Sequence, residues 1–221
     1  MGKCIVFDFD GVIIDSHEVQ KKALKESFQN VFGDKEPPYD AFFEMSGDSL
    51  PNIFVMLGIP LTVLPIYKKN SEENMGMIRV YTGIIPMLEM LNNKGIKCAL
   101  CTGKDRSRTL DILHIMHLDR FFCKVVCSDD VKNPKPYPDS LLKIIDELEI
   151  MKNDVVMVGD GINDILCAKA AGTKSIAVTW GEVRKDKLLA MEPNAIVDTV
   201  QELCKQICKM LCMEQCLRES L

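Results

Sequence analysis

The sequence lacks an apolar run long enough to cross a membrane, which takes about 20 consecutive apolar residues. The first residues reach the acidic Asp8 within one short apolar run, so we expect neither a signal peptide nor a membrane anchor. Positive charge is not in excess either, because 32 acidic residues outnumber 27 basic ones and the formal net charge is −5. Nucleic-acid partners, whose phosphate backbones select basic surfaces, are therefore not expected.

Histidine is scarce, with three residues in the chain. His114 and His117 lie three apart on an expected helix, but no nearby residues complete a metal-ligand set, so we expect both at the surface. The ten cysteines lie largely on apolar segments, which is typical of free buried thiols in a reducing compartment. We therefore expect a cytoplasmic protein, and the sequence leaves open whether it is a monomer or a homodimer.

Four cysteines near the end of the chain recur every four residues, and they would form one stripe on a helix. They are Cys204, Cys208, Cys212 and Cys216. A straight helix does not wrap four thiolates around one tetrahedral ion, so a metal site here would need ligands from elsewhere. We expect this stripe to pack on the core or on a partner.

Short apolar runs alternate with helical patterns from residue 83 onward, and this alternation is typical of a parallel sheet with helices on both faces. The predicted strands cover residues 5–9, 96–101, 124–127, 154–158, 175–178 and 195–197. The predicted helices between them cover residues 86–92, 107–116, 138–148 and 164–171. The sequence therefore predicts an α/β fold with a doubly wound, Rossmann-like parallel sheet.

The stretch 16–81 breaks this rhythm, because it carries helical patterns without a convincing strand. Prolines and glycines divide it into roughly four helices, of which Ser16 could cap the first. We predict a helical cap domain at 16–81, inserted into a catalytic core made of residues 1–15 and 82–221.

Polar residues follow several of these strands, and ligands bind beyond the carboxyl ends of strands in a doubly wound sheet. Asp8 and Asp10, two apart in an extended segment, point into one crevice, where two like charges need a cation. Asp160 and Asp164 supply further carboxylates from a facing loop. Such a cluster of acids suits Mg²⁺, whereas no histidine or cysteine is offered for zinc.

A carboxylate beside Mg²⁺ can attack phosphorus, and we predict that Asp8 is this nucleophile. Asp10 would protonate the leaving alkoxide and later deprotonate the hydrolytic water. Thr102, Lys135 and nearby backbone N–H groups would bind the phosphate oxygens.

Further candidates for binding the phosphate or the rest of the substrate lie next to these residues in the sequence. They are Gly11, Gly103, Lys104, His17 at the mouth between core and cap, and Ser46 in the cap. His17 could equally be a surface residue. Asp48 and Ser49 could touch substrate hydroxyls or form a helix N-cap, and Asp164 could cap its own helix.

These residues occur in the order that is characteristic of the haloacid dehalogenase-like superfamily, which the chain resembles from residue 4 to about 200. The matching segments are Asp8-Phe9-Asp10-Gly11-Val12-Ile13, then Thr102, then Lys135, then Gly159-Asp160-Gly161-Ile162-Asn163-Asp164. The resemblance implies that Asp8, the Asp10 carbonyl and Asp160 bind Mg²⁺, that Asp164 supports them, and that Lys135 steadies nucleophile and phosphate. The insertion at 16–81 looks like the helical cap of one subclass.

Within this superfamily, the presence of Asp10 disfavours dehalogenases and phosphonate hydrolases, which lack the second acid. We therefore predict a phosphatase that acts on a small sugar, aminosugar, polyol or hydroxy-acid phosphate through an aspartyl phosphate on Asp8. β-Phosphoglucomutase-like activity is the alternative, although the segment Met45-Ser46-Gly47-Asp48-Ser49-Leu50 has no arginine of the kind that those enzymes use. A non-catalytic scaffold is a further alternative, against which the intact set of acids weighs.

Overall fold

A computed structural model describes residues 2–211 of the chain. The strands are β1 (Cys4–Phe7), β2 (Ile14–Asp15), β3 (Arg79–Val80), β4 (Lys97–Cys101), β5 (Lys124–Val126), β6 (Val155–Gly159), β7 (Lys174–Val178) and β8 (Ala195–Val197). Six of them form one parallel sheet in the order β5-β4-β1-β6-β7-β8. The predicted strands and their parallel pairing are confirmed.

The helices are α1 (His17–Phe32), α2 (Tyr39–Glu44), α3 (Leu50–Met56), α4 (Leu64–Glu73), α5 (Ile84–Asn93), α6 (Arg106–Ile115), α7 (Asp139–Leu148), α8 (Ile162–Ala171), α9 (Lys185–Ala190) and α10 (Val200–Met210). Short 3₁₀ turns occur at Leu61–Val63, Met75–Met77, Asp119–Phe121, Ser128–Asp130 and Lys152–Asp154.

Alternating residues of β1 enter two separate hydrophobic clusters, one on each face of the sheet. Ile5 and Phe7 pack into a cluster that includes residues of α5 and α10. Cys4 and Val6 pack into the other, with residues of α7 and α8. Helices on both faces are what a parallel sheet requires, because both of its sides must be removed from water. The predicted doubly wound fold is thereby confirmed.

The inserted helices α1 to α4 bury a hydrophobic cluster made of their own residues, which range from Ala23 to Tyr67. Ser27 and Asn70 add a buried hydrogen bond between α1 and α4, with 3.1 Å between Asn70 Nδ2 and Ser27 Oγ. The bounds of a cap domain stay a prediction, but the helical character predicted for this stretch agrees with the structure.

A two-stranded antiparallel ribbon joins the inserted helices to the sheet, with Ile14 opposite Val80 and Asp15 opposite Arg79. This ribbon was not predicted from the sequence, because two-residue strands are too short to show a period. The chain therefore leaves and re-enters the sheet region through neighbouring backbone segments.

No helix between residues 2 and 211 is both long and apolar enough to span a membrane. On α10, Cys208 is buried and Cys204 packs against the main hydrophobic cluster, which agrees with packing as the role of these two cysteines. Cys212 and Cys216 lie outside the described residues. His114 and His117 are both exposed, as expected.

Candidate active site

Lys135 joins two buried carboxylates that come from different parts of the sheet edge. Its Nζ lies 3.0 Å from Asp8 Oδ1 and 2.6 Å from Asp164 Oδ1, and all three side chains are almost fully buried. Asp8 follows β1 directly, and its Oδ1 also accepts the Phe9 N–H at 2.7 Å. Because β1 is a central strand, its end places Asp8 in the middle of the crevice.

Asp160 follows β6 and completes a cluster of three buried carboxylates with Asp8 and Asp164. One ligand atom from each of the three lies within 4.8 Å of the others. Asp160 Oδ2 accepts the Glu182 N–H at 2.8 Å, whereas its buried Oδ1 has no hydrogen-bond partner among residues 2–211. A buried carboxylate oxygen without a donor is costly, so this atom is a candidate ligand for a cation.

Glycine at two positions lets the backbone close over Asp160. A Cβ on Gly11, where φ is +74°, would come within 2.2 Å of Asp160 Oδ2, and a Cβ on Gly181 would come equally close. Gly11 therefore contacts the carboxylate cluster and is not part of the cavity lining described below. Its predicted contact with phosphate stays a prediction.

Burial raises the pKa values of the Asp8 and Asp160 carboxyls, and at Asp8 the Lys135 ammonium opposes this shift. Burial raises the pKa of Asp8 from 3.8 to about 7, Lys135 opposes this shift, and the Asp164 and Asp10 carboxylates add to it. Burial and the Asp8 charge likewise raise the pKa of Asp160 well above its ordinary value. One ammonium does not balance three carboxylates, so a divalent cation would complete the charge of this cluster.

Asp164 belongs to the carboxylate cluster, although the family resemblance implied only a supporting role for it. Its Oδ2 accepts the Gly161 N–H at 3.0 Å at the start of α8, so it also fills the helix-capping role that was considered.

The Asp10 side chain is turned away from this cluster toward α1 and the β4 loop. Its Oδ1 accepts the Ser16 hydroxyl, lies 3.2 Å from Lys104 Nζ and is 3.5 Å from Gln20 Nε2. Ser16 precedes α1, where it could have capped the helix, but its side chain makes no cap within the described chain because its hydroxyl is used by Asp10. The Asp10 carboxylate is thus a candidate for proton transfer and is not a member of the cluster of three carboxylates.

A cavity of about 50 Å³ opens on Asp8 and Asp10 and runs beneath the inserted helices. Thr102, Gly103 and Lys104 line it from the end of β4, and Ser46 lines it from the loop after α2. The structure thus brings these predicted substrate-binding residues together.

The inserted segment contacts the sheet loops closely at two glycines. A Cβ on Gly103 would lie 2.2 Å from the Asp48 carbonyl oxygen, and one on Gly161 would lie 2.3 Å from the Ser46 carbonyl oxygen. Ser46 Oγ also reaches Asp160 Oδ2 at 3.4 Å. The segment is therefore seated on the loops that carry the carboxylates.

His17 lies beside the cavity and does not line it. Its Nδ1 is 2.7 Å from Glu182 Oε2, and its ring stacks on Phe43 with 4.3 Å between centroids. It connects the first inserted helix with the loop after β7. Its predicted contact with substrate stays a prediction.

The cavity is also lined by Arg108, Tyr67 and Gln20, which were not predicted from the sequence. Gln20 lies one helical turn after Ser16, a spacing that could have suggested a shared target. Arg108 lies three residues after Asp105, and this spacing is typical of an ion pair at the start of a helix. It does not indicate that Arg108 lines a cavity.

The model of the haloacid dehalogenase-like hydrolase family matches residues 5–178 of the chain. A pyrophosphatase PpaX from Halalkalibacterium halodurans is 29% identical over 202 residues, which cover 90% of this chain and 94% of the relative. A pyrophosphatase PpaX from Bacillus pumilus is 29% identical over 205 residues, covering 90% of this chain and 93% of the relative.

Solved structures agree with this match. A predicted phosphatase from Clostridium acetobutylicum is 26% identical, with a TM-score of 0.84 over 95% of this chain and 99% of the other. A structure from Bacteroides fragilis, described as that of a haloacid dehalogenase-like hydrolase, is 25% identical, with a TM-score of 0.84 over 92% of this chain and 100% of the other. The family resemblance seen in the motifs is confirmed, and the chain belongs to the haloacid dehalogenase-like hydrolases.

Proposed function

We propose that the protein is a magnesium-dependent phosphatase that removes phosphate from a small organic ester through an aspartyl phosphate on Asp8. The observation that carries this proposal is the buried cluster of Asp8, Asp160 and Asp164 around Lys135, with the Asp10 carboxylate turned toward the cavity. The similarity to enzymes named pyrophosphatase supports phosphate hydrolysis and adds pyrophosphate to the candidate substrates.

Mg²⁺ fits the donor set, because hard carboxylate oxygens are its preferred ligands and Asp160 Oδ1 is a buried acceptor without a donor in the described part of the chain. Asp8, Asp160 and the Asp10 carbonyl would hold the ion, with Asp164 beside them. When bound, it supplies positive charge that screens the carboxylates from the phosphate dianion.

In the first step, an Asp8 carboxylate oxygen attacks phosphorus and the bond to the ester oxygen breaks. Asp10 gives its proton to the departing oxygen, so that an alcohol leaves. Lys135 holds the Asp8 carboxylate in place, while Thr102 and the Gly103 N–H bind the phosphate oxygens. Asp10 is then a carboxylate.

In the second step, Asp10 takes a proton from water, and the resulting hydroxide attacks the phosphorus of the aspartyl phosphate. The bond to Asp8 breaks, inorganic phosphate leaves, and both aspartates return to their starting states. We propose that residues 16–81 act as a cap that excludes bulk water during these steps, since the inserted helices already lie over the cavity.

The test is phosphate release from a panel of sugar, aminosugar, polyol and hydroxy-acid phosphates and pyrophosphate, with and without Mg²⁺. We expect Mg²⁺-dependent turnover that Asp8→Asn abolishes and that Asp111→Asn, an exposed position on α6, leaves intact. A phosphate group on the peptide that contains Asp8, found by mass spectrometry after acid quenching, would identify the nucleophile. Turnover that survives Asp8→Asn would refute the proposal.

The mutase alternative has no support from the relatives named above. A mutase returns phosphate to its sugar, so one equivalent of free phosphate per molecule of hexose phosphate consumed would eliminate it.

A further inference from the structure

Two buried cations line the cavity, and the steps above use neither of them. The side chains of Lys104 and Arg108 are 7% and 5% exposed. Burial lowers the pKa of Lys104, with Asp10 opposing the shift and the Arg108 charge adding to it. Two like charges in one small cavity repel each other, so this arrangement is favourable when an anion lies between or beside them.

Each cation is held by one carboxylate of the sheet loops. Lys104 Nζ lies 3.2 Å from Asp10 Oδ1, and the Arg108 guanidinium places Nε and Nη2 each 2.8 Å from Asp105 Oδ2. Lys68 of α4 also binds Asp105 Oδ2 at 3.1 Å, so Asp105 is shared between two cations. Asp105 therefore does not fully neutralise Arg108.

The Asp10 carboxylate does not serve Lys104 alone. Its Oδ1 also accepts the Ser16 hydroxyl and lies 3.5 Å from Gln20 Nε2, so one oxygen is shared among three donors. A negative group on the leaving group would give Lys104 a second partner.

The other acids of the lining are engaged elsewhere. Asp48 Oδ1 accepts the Ser49 N–H at 2.6 Å and is 3.2 Å from Asn52 Nδ2, at the start of α3. Glu182 is paired with His17. A further anionic partner for Lys104 and Arg108, beyond Asp10 and Asp105, would therefore come with the substrate.

The size of the cavity limits this partner. About 50 Å³ holds only a few water-sized groups, and Phe42, Phe43, Leu50, Ile53 and Tyr67 form an apolar wall of this cavity. The Arg108 guanidinium lies 5.9 Å from the centre of the Tyr67 ring, which fixes it against this wall. A compact leaving group fits this space better than a hexose does.

We propose that Lys104 and Arg108 form an anion subsite for the leaving group, so that preferred substrates carry a second negative group, a carboxylate or a second phosphate, close to the scissile bond. This inference rests on the proposed phosphatase function and narrows its substrates to small hydroxy-acid phosphates and pyrophosphate.

The test compares 2-phosphoglycolate with ethylene glycol monophosphate, which replaces the carboxylate by a neutral CH₂OH group. We expect kcat/KM of the wild type to favour the anionic substrate by about 100-fold, and Arg108→Met and Lys104→Met each to lower this ratio by roughly 10- to 100-fold. Arg106→Met is the matched control, because Arg106 is half-exposed on the same helix and pairs with Asp130, and it should leave the ratio unchanged. Pyrophosphate in the same assay distinguishes a phosphate from a carboxylate as the preferred second group.

A ratio of two rate constants does not depend on how much of a variant is folded, so partial unfolding of Arg108→Met does not obscure the result. A wild-type ratio near one would overturn the anion subsite, and so would equal losses on both substrates in both variants. Absence of Mg²⁺-dependent phosphate release from every ester would instead refute the phosphatase proposal itself.

Discussion

Lys135 Nζ lies 3.0 Å from Asp8 Oδ1, and both side chains are almost completely buried. This ammonium is the cation that holds Asp8 against the other two carboxylates of the cluster. The contact joins the end of the central strand to the loop before α7. We expect this contact to affect both the stability of the crevice and the orientation of the proposed nucleophile.

Replacing Lys135 by methionine should therefore affect folding and catalysis together. We expect the free energy of unfolding without Mg²⁺ to fall by about 3–5 kcal/mol, because buried carboxylates are left without their partner. Phosphatase activity should fall by about 100-fold or more. Denaturant unfolding and phosphate release measure the two effects. Lys132→Met, at an exposed position of the same loop, is the control, and equal behaviour of the two variants would contradict the assignment.

Mg²⁺ should stabilise the protein, because it would relieve repulsion among Asp8, Asp160 and Asp164. At a concentration 100 times its Kd, Mg²⁺ should raise the free energy of unfolding by about 2.7 kcal/mol and should also raise the Tm. Asp160→Asn should raise the Tm of the metal-free protein and remove most of the Mg²⁺ effect, whereas Asp111→Asn should retain it. Calorimetry with and without Mg²⁺ measures the Tm of the wild type and of both variants. An undiminished Mg²⁺ effect in Asp160→Asn would place the ion elsewhere.

Replacing Asp10 by asparagine should separate the two chemical steps. With p-nitrophenyl phosphate the leaving group needs little protonation, so phosphoenzyme should still form, but the water that releases it has no base. We predict a burst of about one p-nitrophenolate per active site followed by slow turnover. Asp34→Asn, at an exposed position, should turn over without such a burst. Loss of both phases in Asp10→Asn would argue against the two-step scheme.

Asp105 should make stability depend on pH in the acidic range. Burial acts to raise the pKa of this carboxyl, but the Arg108 guanidinium and its hydrogen bonds outweigh burial and lower the pKa from 3.8 to about 2. Because the folded value lies below the unfolded one, the stabilisation is complete above about pH 4 and is lost as the pH falls through about 2.

We therefore expect Asp105→Asn to lower the free energy of unfolding by about 2 kcal/mol at pH 7, and this difference from wild type to shrink below pH 4. Urea unfolding at a series of pH values measures it. The Asp111→Asn variant gives the baseline, and a difference that stays constant down to pH 3 would contradict the role assigned to the ion pair.

The strands and the principal acids could be predicted from the sequence because both depend on local pattern. β1, β4 and β6 are short buried apolar runs, and parallel pairing brings their carboxyl ends to one edge of the sheet. The residues that follow these ends therefore lie close together, regardless of how the other elements pack. Asp8 and Asp160 are two of them.

The cavity wall could not be predicted in this way, because it depends on contacts between distant segments. Arg108 lines the cavity beside Tyr67 of α4, and Lys68 of the same helix contacts the Asp105 carboxylate that holds Arg108. Ser16 could cap α1 from its position in the sequence, but its hydroxyl binds Asp10 instead. In both places a local pattern gave one role, and the tertiary packing assigned another.

The ribbon of β2 and β3 has a consequence for how such an enzyme diversifies. Since Ile14 and Val80 are paired, the inserted helices begin and end at neighbouring backbone positions. Their hydrophobic cluster is made of residues of the same segment, so it would be exchanged together with the helices. Exchanging the segment between these two residues for that of a relative would place different helices over the same cluster of carboxylates. Selectivity could then change in a single recombination event, with the carboxylates and their lysine left undisturbed.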